Sequence, residues 1–272
     1  MIGAIAAARR ALPDPQGAPP LPWRLRALPV CGSTEWELEH WLGGASPACF
    51  APGGERLVIP LAVLARRQRF GHGQHGRPWL APPGGVWLSA ALPWPEDPAA
   101  AASPALAVAV GLAQQLEALG LEVRIKWPND LLLQGPDGTW RKLAGLLPGL
   151  RMRGGRIRWA RVGVGLNGRN RVPAGATGLA AAAGTGRGEP RRLAARVLAA
   201  LEWAVAWAGR PEGVRRRAER RLLLPANPIP ADGELWRPVG LASDGALLLE
   251  SRGRRRRLDR RRGEARLAGG IP

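Results

Sequence analysis

Tyrosine is absent from this chain of 272 residues, phenylalanine and methionine occur twice each, histidine three times, and cysteine only at Cys31 and Cys49. Two cysteines are too few for a disulfide framework and lack metal-ligand spacing, so free thiols in a reducing cytoplasm are expected. Long apolar runs are missing as well. The opening MIGAIAAARR meets its arginines after a few apolar residues, which is short for a signal peptide, and nothing later approaches a membrane span. Lysine is the scarcest charged residue: Lys126 and Lys142 stand among 40 basic residues, and the other 38 are arginine. The flat fork of arginine and the compact ammonium of lysine exchange on a wet surface but not against a crowded anion.

What is present supports a folded, soluble protein. With 46% hydrophobic residues the chain can build one good-sized domain and a smaller one. A net charge of +19 invites a nucleic-acid reading through neutralised phosphates. The excess is spread along the chain, however, and an acidic protein partner or acidic substrate fits equally well. The run RRRRLDRRR, Arg254 to Arg262, has the texture of a solvated strand face or tail.

Residues 1 to 30 read as a loose Pro- and Ala-rich leader, DPQGAPPLP included, before a short strand. After GST, Thr34 and Glu37 have the spacing of a capping box and predict a helix over EWELEHWL. RLVIPLAVL, residues 57 to 65, predicts a buried strand interrupted by Pro60, running into the glycine-rich RFGHGQHGRPW; VWLSAALP predicts another strand. Ser103 and Pro104 start a helix that Gly120 stops. LEVRIKW then alternates, with Leu121, Val123, Ile125 and Trp127 on one face and Glu122, Arg124 and Lys126 on the other. DLLLQ, a GPDG turn, KLAGLLPGLRM, an RGGR turn and IRWARVGVGLN complete an antiparallel meander. Helices follow at about 190 to 209 and 211 to 222. From Asn227 onward, short strands and turns predict a small antiparallel barrel, with a boundary near Leu224.

Several residues have two readings. In GHGQHGR, Gly71, Gly73 and Gly76 permit close approach of a ligand, with His72, Gln74, His75 and Arg77 between them; a surface turn has the same composition. The spacing is neither Rossmann nor P-loop. Ser33 and Thr34 suit helix capping, Lys126 a solvated strand face, and Asn129 and Asp130 a turn. Lys142 is different, because it heads the apolar run LAGLL, where an unpaired ammonium would be costly. Asn167 follows VGVGL, and a buried amide there needs partners.

In order, GST, then Q-x-x-G-x-G-x-x-G-R-x-W (Gln68 to Trp79), KWPND (Lys126 to Asp130), KLAGLL (Lys142 to Leu147) and GVGLN (Gly163 to Asn167) resemble the biotin protein ligase family. The tail resembles that family's SH3-like barrel. The resemblance implies an α+β fold of the class II synthetase type: a mixed, mostly antiparallel sheet backed by helices, with the barrel attached. Residues 1–30 would be leader and first strand, 31–224 the catalytic biotin- and ATP-binding domain, and 225–272 the barrel. The implied activity joins the biotin carboxylate to the α-phosphate of ATP with Mg²⁺, releases pyrophosphate, and transfers the biotinyl group from AMP to a lysine of a biotin carrier domain, usually that of acetyl-CoA carboxylase. With no room for an N-terminal winged helix, a monofunctional cytoplasmic ligase is expected, with no specific DNA or membrane partner; a homodimer stays open.

By the same resemblance Lys142 is catalytic. Ser33, Thr34, Gln68, Gly71, His72, Gly73, Gln74, Trp79, Lys142 and Gly145 would bind biotin. Arg77, Lys126, Asn129, Asp130 and Asn167 would bind ATP, with Asp130 a candidate Mg²⁺ contact. A lipoate or octanoate ligase is the nearest rival, and KWPND argues against it; a basic nucleic-acid-binding protein comes third. The chain also departs from the family's GRGRxGR loop. His72 and Gln74 replace two arginines, Glu35 stands where Asn is common, and Pro148-Gly149 follow the KLAG strand. A lost charge-assisted hydrogen bond costs about 1.5 to 3 kcal/mol, so faster escape of biotinyl-AMP is expected.

Overall fold

The computed structural model describes residues 20–259 apart from Gly54, Pro136, Ala226 and Asp232, together with Gly3, Ala6 and Arg10. Most of the expected leader and the end of the expected barrel, including Arg260 to Arg262, lie outside the described residues. The architecture is α+β. A seven-stranded sheet contains β1 (Arg24–Leu28), β2 (Leu61–Ala65), β3 (Val86–Leu92), β4 (Val123–Lys126), β5 (Asp130–Gln134), β6 (Trp140–Arg153) and β7 (Arg156–Leu166), in the order β1-β2-β3-β7-β6-β5-β4. β1 runs parallel to β2, and every other neighbour is antiparallel.

β4 to β7 form the expected meander. The alternation of LEVRIKW is kept: Val123, Ile125 and Trp127 are buried, and Arg124 and Lys126 are half-exposed. The strand expected over 57–65 is shorter and starts at Leu61, after Pro60. Proline has no N–H to give to a ladder, and Leu57 instead bridges to Phe50.

The helices are α1 (Thr34–Gly43), α2 (Pro104–Glu117), α3 (Leu179–Ala183), α4 (Pro190–Trp207) and α5 (Pro211–Glu219). The capping residue of α1 is Ser33 and not Thr34: the Ser33 hydroxyl accepts from the Glu35 N–H, and the Glu37 N–H donates to the Ser33 carbonyl. The capping-box spacing placed the start one residue late, because the Thr34 hydroxyl is drawn away by tertiary partners. α2 is buried along nearly its whole length, between the sheet and α4. It can lie that close because Gly111 has no side chain; a Cβ there would stand 2.5 Å from the Ala200 carbonyl oxygen of α4.

A second, four-stranded antiparallel sheet holds β8 (Ile229–Ala231), β9 (Glu234–Leu241), β10 (Leu247–Ser251) and β11 (Arg254–Leu258), in the order β11-β10-β9-β8, where the SH3-like domain is expected. Its Trp236, Leu247, Leu249 and Leu258 join the same hydrophobic core as the large sheet. It seats against the end of β4, where the Trp127 indole N–H donates to the Gly245 carbonyl at 2.9 Å. No helix among the described residues is long and apolar enough to cross a membrane.

Gly111→Ala is expected to destabilise the protein by about 1–3 kcal/mol, because an extra methyl in a filled interface must displace backbone. Urea unfolding would show a lower midpoint with an unchanged slope.

Candidate active site

One face of the large sheet carries the site. The registers of β3, β7, β6 and β5 place Ser89, Gly163 and Leu147 in one row and Trp87, Gly165, Gly145 and Asp130 in the next. Because strand side chains alternate, Gly163 and Gly165 of the VGVGL run face the cavity while Val162, Val164 and Leu166 belong to the core. The missing side chains make room for Trp79. A Cβ at Gly165 would stand 2.6 Å from its indole, and one at Gly145 would stand 3.0 Å from it. Above this floor is a cavity of about 580 Å³, a size suited to a small molecule.

Lys142 reaches the cavity through a bulge. Leu131 pairs with Ala144 and Leu132 with Lys142, so Leu143 has no partner on β5. In a regular strand, residues 142 and 145 would point to opposite faces; the extra residue restores them to one face. Accordingly, a Cβ at Gly145 would lie 3.3 Å from Lys142 Cε. The Lys142 ammonium sits 2.7 Å from Asp130 Oδ1 and 5.2 Å from the centre of the Trp79 ring. That Asp130 oxygen is buried and makes no hydrogen bond of sound angle, so charge alone holds the pair. The backbone of Lys142 is fixed by the 173–177 loop: its N–H donates to Gly175 (3.2 Å), and its carbonyl accepts from Thr177 (2.9 Å).

One end of the cavity is a cluster of fixed polar groups. The Thr34 N–H and hydroxyl both donate to Gln68 Oε1, at 2.7 and 3.0 Å, and the Thr34 and Ser89 hydroxyls are 2.8 Å apart. Ser33, Thr34 and Ser89 are all buried. Toward the other end, Asn129 Nδ2 donates to the Leu146 carbonyl at 2.6 Å, and the Leu146 N–H returns a bond to the Asn129 carbonyl at 2.9 Å, stitching the KWPND turn to β6. Asn167 is buried, with its Oδ1 accepting from Asn170 Nδ2 at 3.0 Å. The Trp79 indole N–H is buried without a partner among the described residues, and it lies over the glycine floor, where a Cβ at Gly165 would stand 2.7 Å from it.

Every residue expected at the site lines this cavity except Gly71. Gly71 stands behind the wall: its carbonyl accepts from the Trp79 N–H at 2.8 Å, and a Cβ there would meet the Trp79 carbonyl oxygen at 2.6 Å. Sequence reasoning missed Ser89, Leu147, Trp127 and the Pro173 and Ala176 loop, which also line the cavity. Ser89 had a readable signal as the lone hydroxyl in the apolar strand VWLSAAL. His72 turns its Nε2 to Glu35, 2.9 Å away, and Glu35 also holds Arg161 at 2.7 Å. Beside the site, burial first and the charge of Glu37 second push the Cys31 thiol up to about 11.

The comparisons agree with this geometry. Residues 57–167 match the Biotin/lipoate A/B protein ligase family. The bifunctional ligase/repressor BirA of Escherichia coli (strain K12) is 39% identical over 108 residues, covering 39% of this chain and 32% of that protein. The biotin--[acetyl-CoA-carboxylase] ligase of Paracoccus denitrificans is 36% identical over 111 residues, covering 39% of this chain and 43% of that protein. The matched stretch thus spans well under half the length of these relatives. Among solved structures, the biotin protein ligase from Aquifex aeolicus in complex with biotin and ATP superposes with a TM-score of 0.61 at 22% identity, covering 88% of this chain and 95% of that one. The biotin protein ligase from Leishmania major in complex with biotinyl-5-AMP gives 0.56 at 22% identity, covering 89% and 99%. The fold is the one these two structures share, and both are biotin protein ligases.

Two outcomes follow from the packing. Gly165→Val is expected to expel the Trp79 ring from its floor, shifting the Trp79 indole resonance in NMR spectra while the amides of β10 stay in place. Alkylation of Cys31 at pH 8 is expected to be slow, because a rise from 9.0 to about 11 leaves about 100-fold less thiolate. Peptide mapping across a pH series should show its rate rising about tenfold per unit from about pH 8 to 10 and levelling only near about pH 11.

Proposed function

We propose that the chain is an ATP-dependent biotin protein ligase. It would activate biotin as biotinyl-5'-AMP and pass the biotinyl group to a lysine of a biotin carrier domain, with that of acetyl-CoA carboxylase the expected acceptor. The observation that carries this reading is the Lys142 ammonium inside a cavity that has buried hydroxyls and Gln68 at one end and Asn129, Asp130 and Asn167 at the other. Such a cavity can hold two anions end to end with a cation between them.

Under this reading Ser33, Thr34, Gln68 and Ser89 take the polar ring of biotin, with Trp79 and the glycine floor against its apolar body. Arg77, Lys126, Asn129, Asp130 and Asn167 serve the nucleotide. A biotin carboxylate oxygen attacks the α-phosphorus in line, and pyrophosphate departs with the bonding electron pair. The two reactants repel each other until Lys142 stands between them, and its charge follows the charge building on the phosphorus oxygens. In the second step the neutral amine of the acceptor lysine attacks the biotinyl carbonyl carbon and gives up a proton, AMP leaves with the bonding electron pair, and an amide bond results. Asp130 would offer one carboxylate contact to a Mg²⁺ carried in on the triphosphate. When bound, that ion would offset charge on the departing pyrophosphate.

A guanidinium at position 142 is wider and planar, and the space beside Gly145 and Trp79 is filled. Lys142→Arg is therefore expected to lower biotin-dependent pyrophosphate release by about 100-fold or more with the fold intact by circular dichroism. The direct test is incubation with ATP, Mg²⁺, biotin and a carrier domain, with lipoate as competitor, followed by the intact mass of the carrier. An unmodified carrier, or one that gains lipoyl mass instead, overturns the proposal.

A further inference from the structure

Glu35, like Asp130, puts a carboxylate into the wall of a cavity read as taking an anionic ligand. It is 6% exposed, lies one residue inside α1, and lines the same space as Lys142. A buried carboxylate there needs a cation against it; the structure supplies the Arg161 guanidinium and sets a ring nitrogen of His72 beside it. Oε1 is 2.7 Å from Arg161 Nη2 on β7, and Oε2 is 2.9 Å from His72 Nε2 in the glycine loop. Arg161 is itself shared with Glu39, one turn further along α1. The other ring nitrogen of His72 lies 3.4 Å from the Phe70 carbonyl. The exposed Trp36 of α1 covers the same loop, with its ring centre 5.9 Å from that of His72 and 6.2 Å from that of Phe70. His72 and Phe70 of the loop thus lie against Glu35 and Trp36, consecutive residues of the helix.

We propose that Glu35 is a positioning residue that clasps the glycine loop over the cavity through His72. The loop is then closed before any ligand arrives, and residue 72 serves the closure instead of gripping the ligand's anion. That task is left to Lys142 and Arg77. The consequence for activity rests on the ligase reading; the clasp itself does not.

Hydrogen–deuterium exchange of the ligand-free chain tests it. Glu35→Gln and His72→Gln are each expected to raise amide exchange across residues 70–77 about tenfold while β3 and β10 exchange as before. The double variant should exchange no faster than either single one, because both remove the same contact. His72→Gln alters a half-exposed loop side chain, so it keeps the test usable if Glu35→Gln misfolds. Unchanged loop exchange in His72→Gln, or additive effects in the double variant, overturns the clasp. In biotin-dependent pyrophosphate release, both variants should raise KM for biotin by a larger factor than they lower kcat. If the loop opens as expected but the parent chain releases no pyrophosphate, the ligase reading fails and the clasp stands.

Discussion

Leu143 has no partner across the β5–β6 ladder, and the chemistry of the cavity depends on that skipped residue. Strand side chains alternate, so a regular β6 would set Lys142 and Gly145 on opposite faces of the sheet. With the bulge, Lys142 joins Gly145, Gly165 and Asp130 on the cavity side, while Leu143 and Ala144 both remain in the core. The surrounding parts then serve this placement. The 173–177 loop fixes the backbone of Lys142, Asn129 ties the preceding turn to β6, and Trp79 lies on the glycines that the ammonium overhangs. A bulge beside a reactive group, re-aiming one side chain, is a recurrent device of sheet proteins.

The glycines of β6 and β7 carry a second constraint. They weaken strands and offer nothing to pack, yet here they alternate with the core residues Val162, Val164 and Leu166 so that one face of β7 is filled and the other is bare. The bare face is what admits an indole at one level and leaves volume above it. The sheet therefore gives up packing on one side to gain a site, and α2 and α4 supply the missing stability on the other, where Gly111 allows their backbones to touch.

Much of this was legible in the chain, and the misses have a common cause. LEVRIKW, DLLLQ, KLAGLL and IRWARVGVGLN were readable as a meander because each carries its own alternation or turn. The start of α1 was read one residue late because the Thr34 hydroxyl bonds to Gln68 and Ser89, far away in sequence, and leaves capping to Ser33. The strand over 57–65 was read too long because Leu57 and Ile59 pack in a side cluster, Leu57 bridging to Phe50, without joining the ladder. The bulge at Leu143 could not be read at all: period-two reasoning puts Lys142 and Gly145 on opposite faces, and only pairing with β5 shows otherwise. The Glu35–His72 contact joins residues whose departures from the family pattern look independent in sequence and turn out to be one structural feature.

The scarcity of lysine now has a physical account. Arginine does structural work through its fork, as where Arg221 meets both oxygens of Glu117 at 2.6 and 2.7 Å, or where Arg161 bridges Glu35 and Glu39. Such bidentate holds suit fixed partners. Under the proposed reading the cavity asks for the opposite, a compact charge on a thin stem that can leave one anion for another. Both lysines line it, and Lys142 rests against Asp130 without a hydrogen bond of sound angle. An ammonium beside a carboxylate can turn toward a second anion without breaking a directed bond, whereas a guanidinium locked to the same carboxylate by two directed bonds would have to break both.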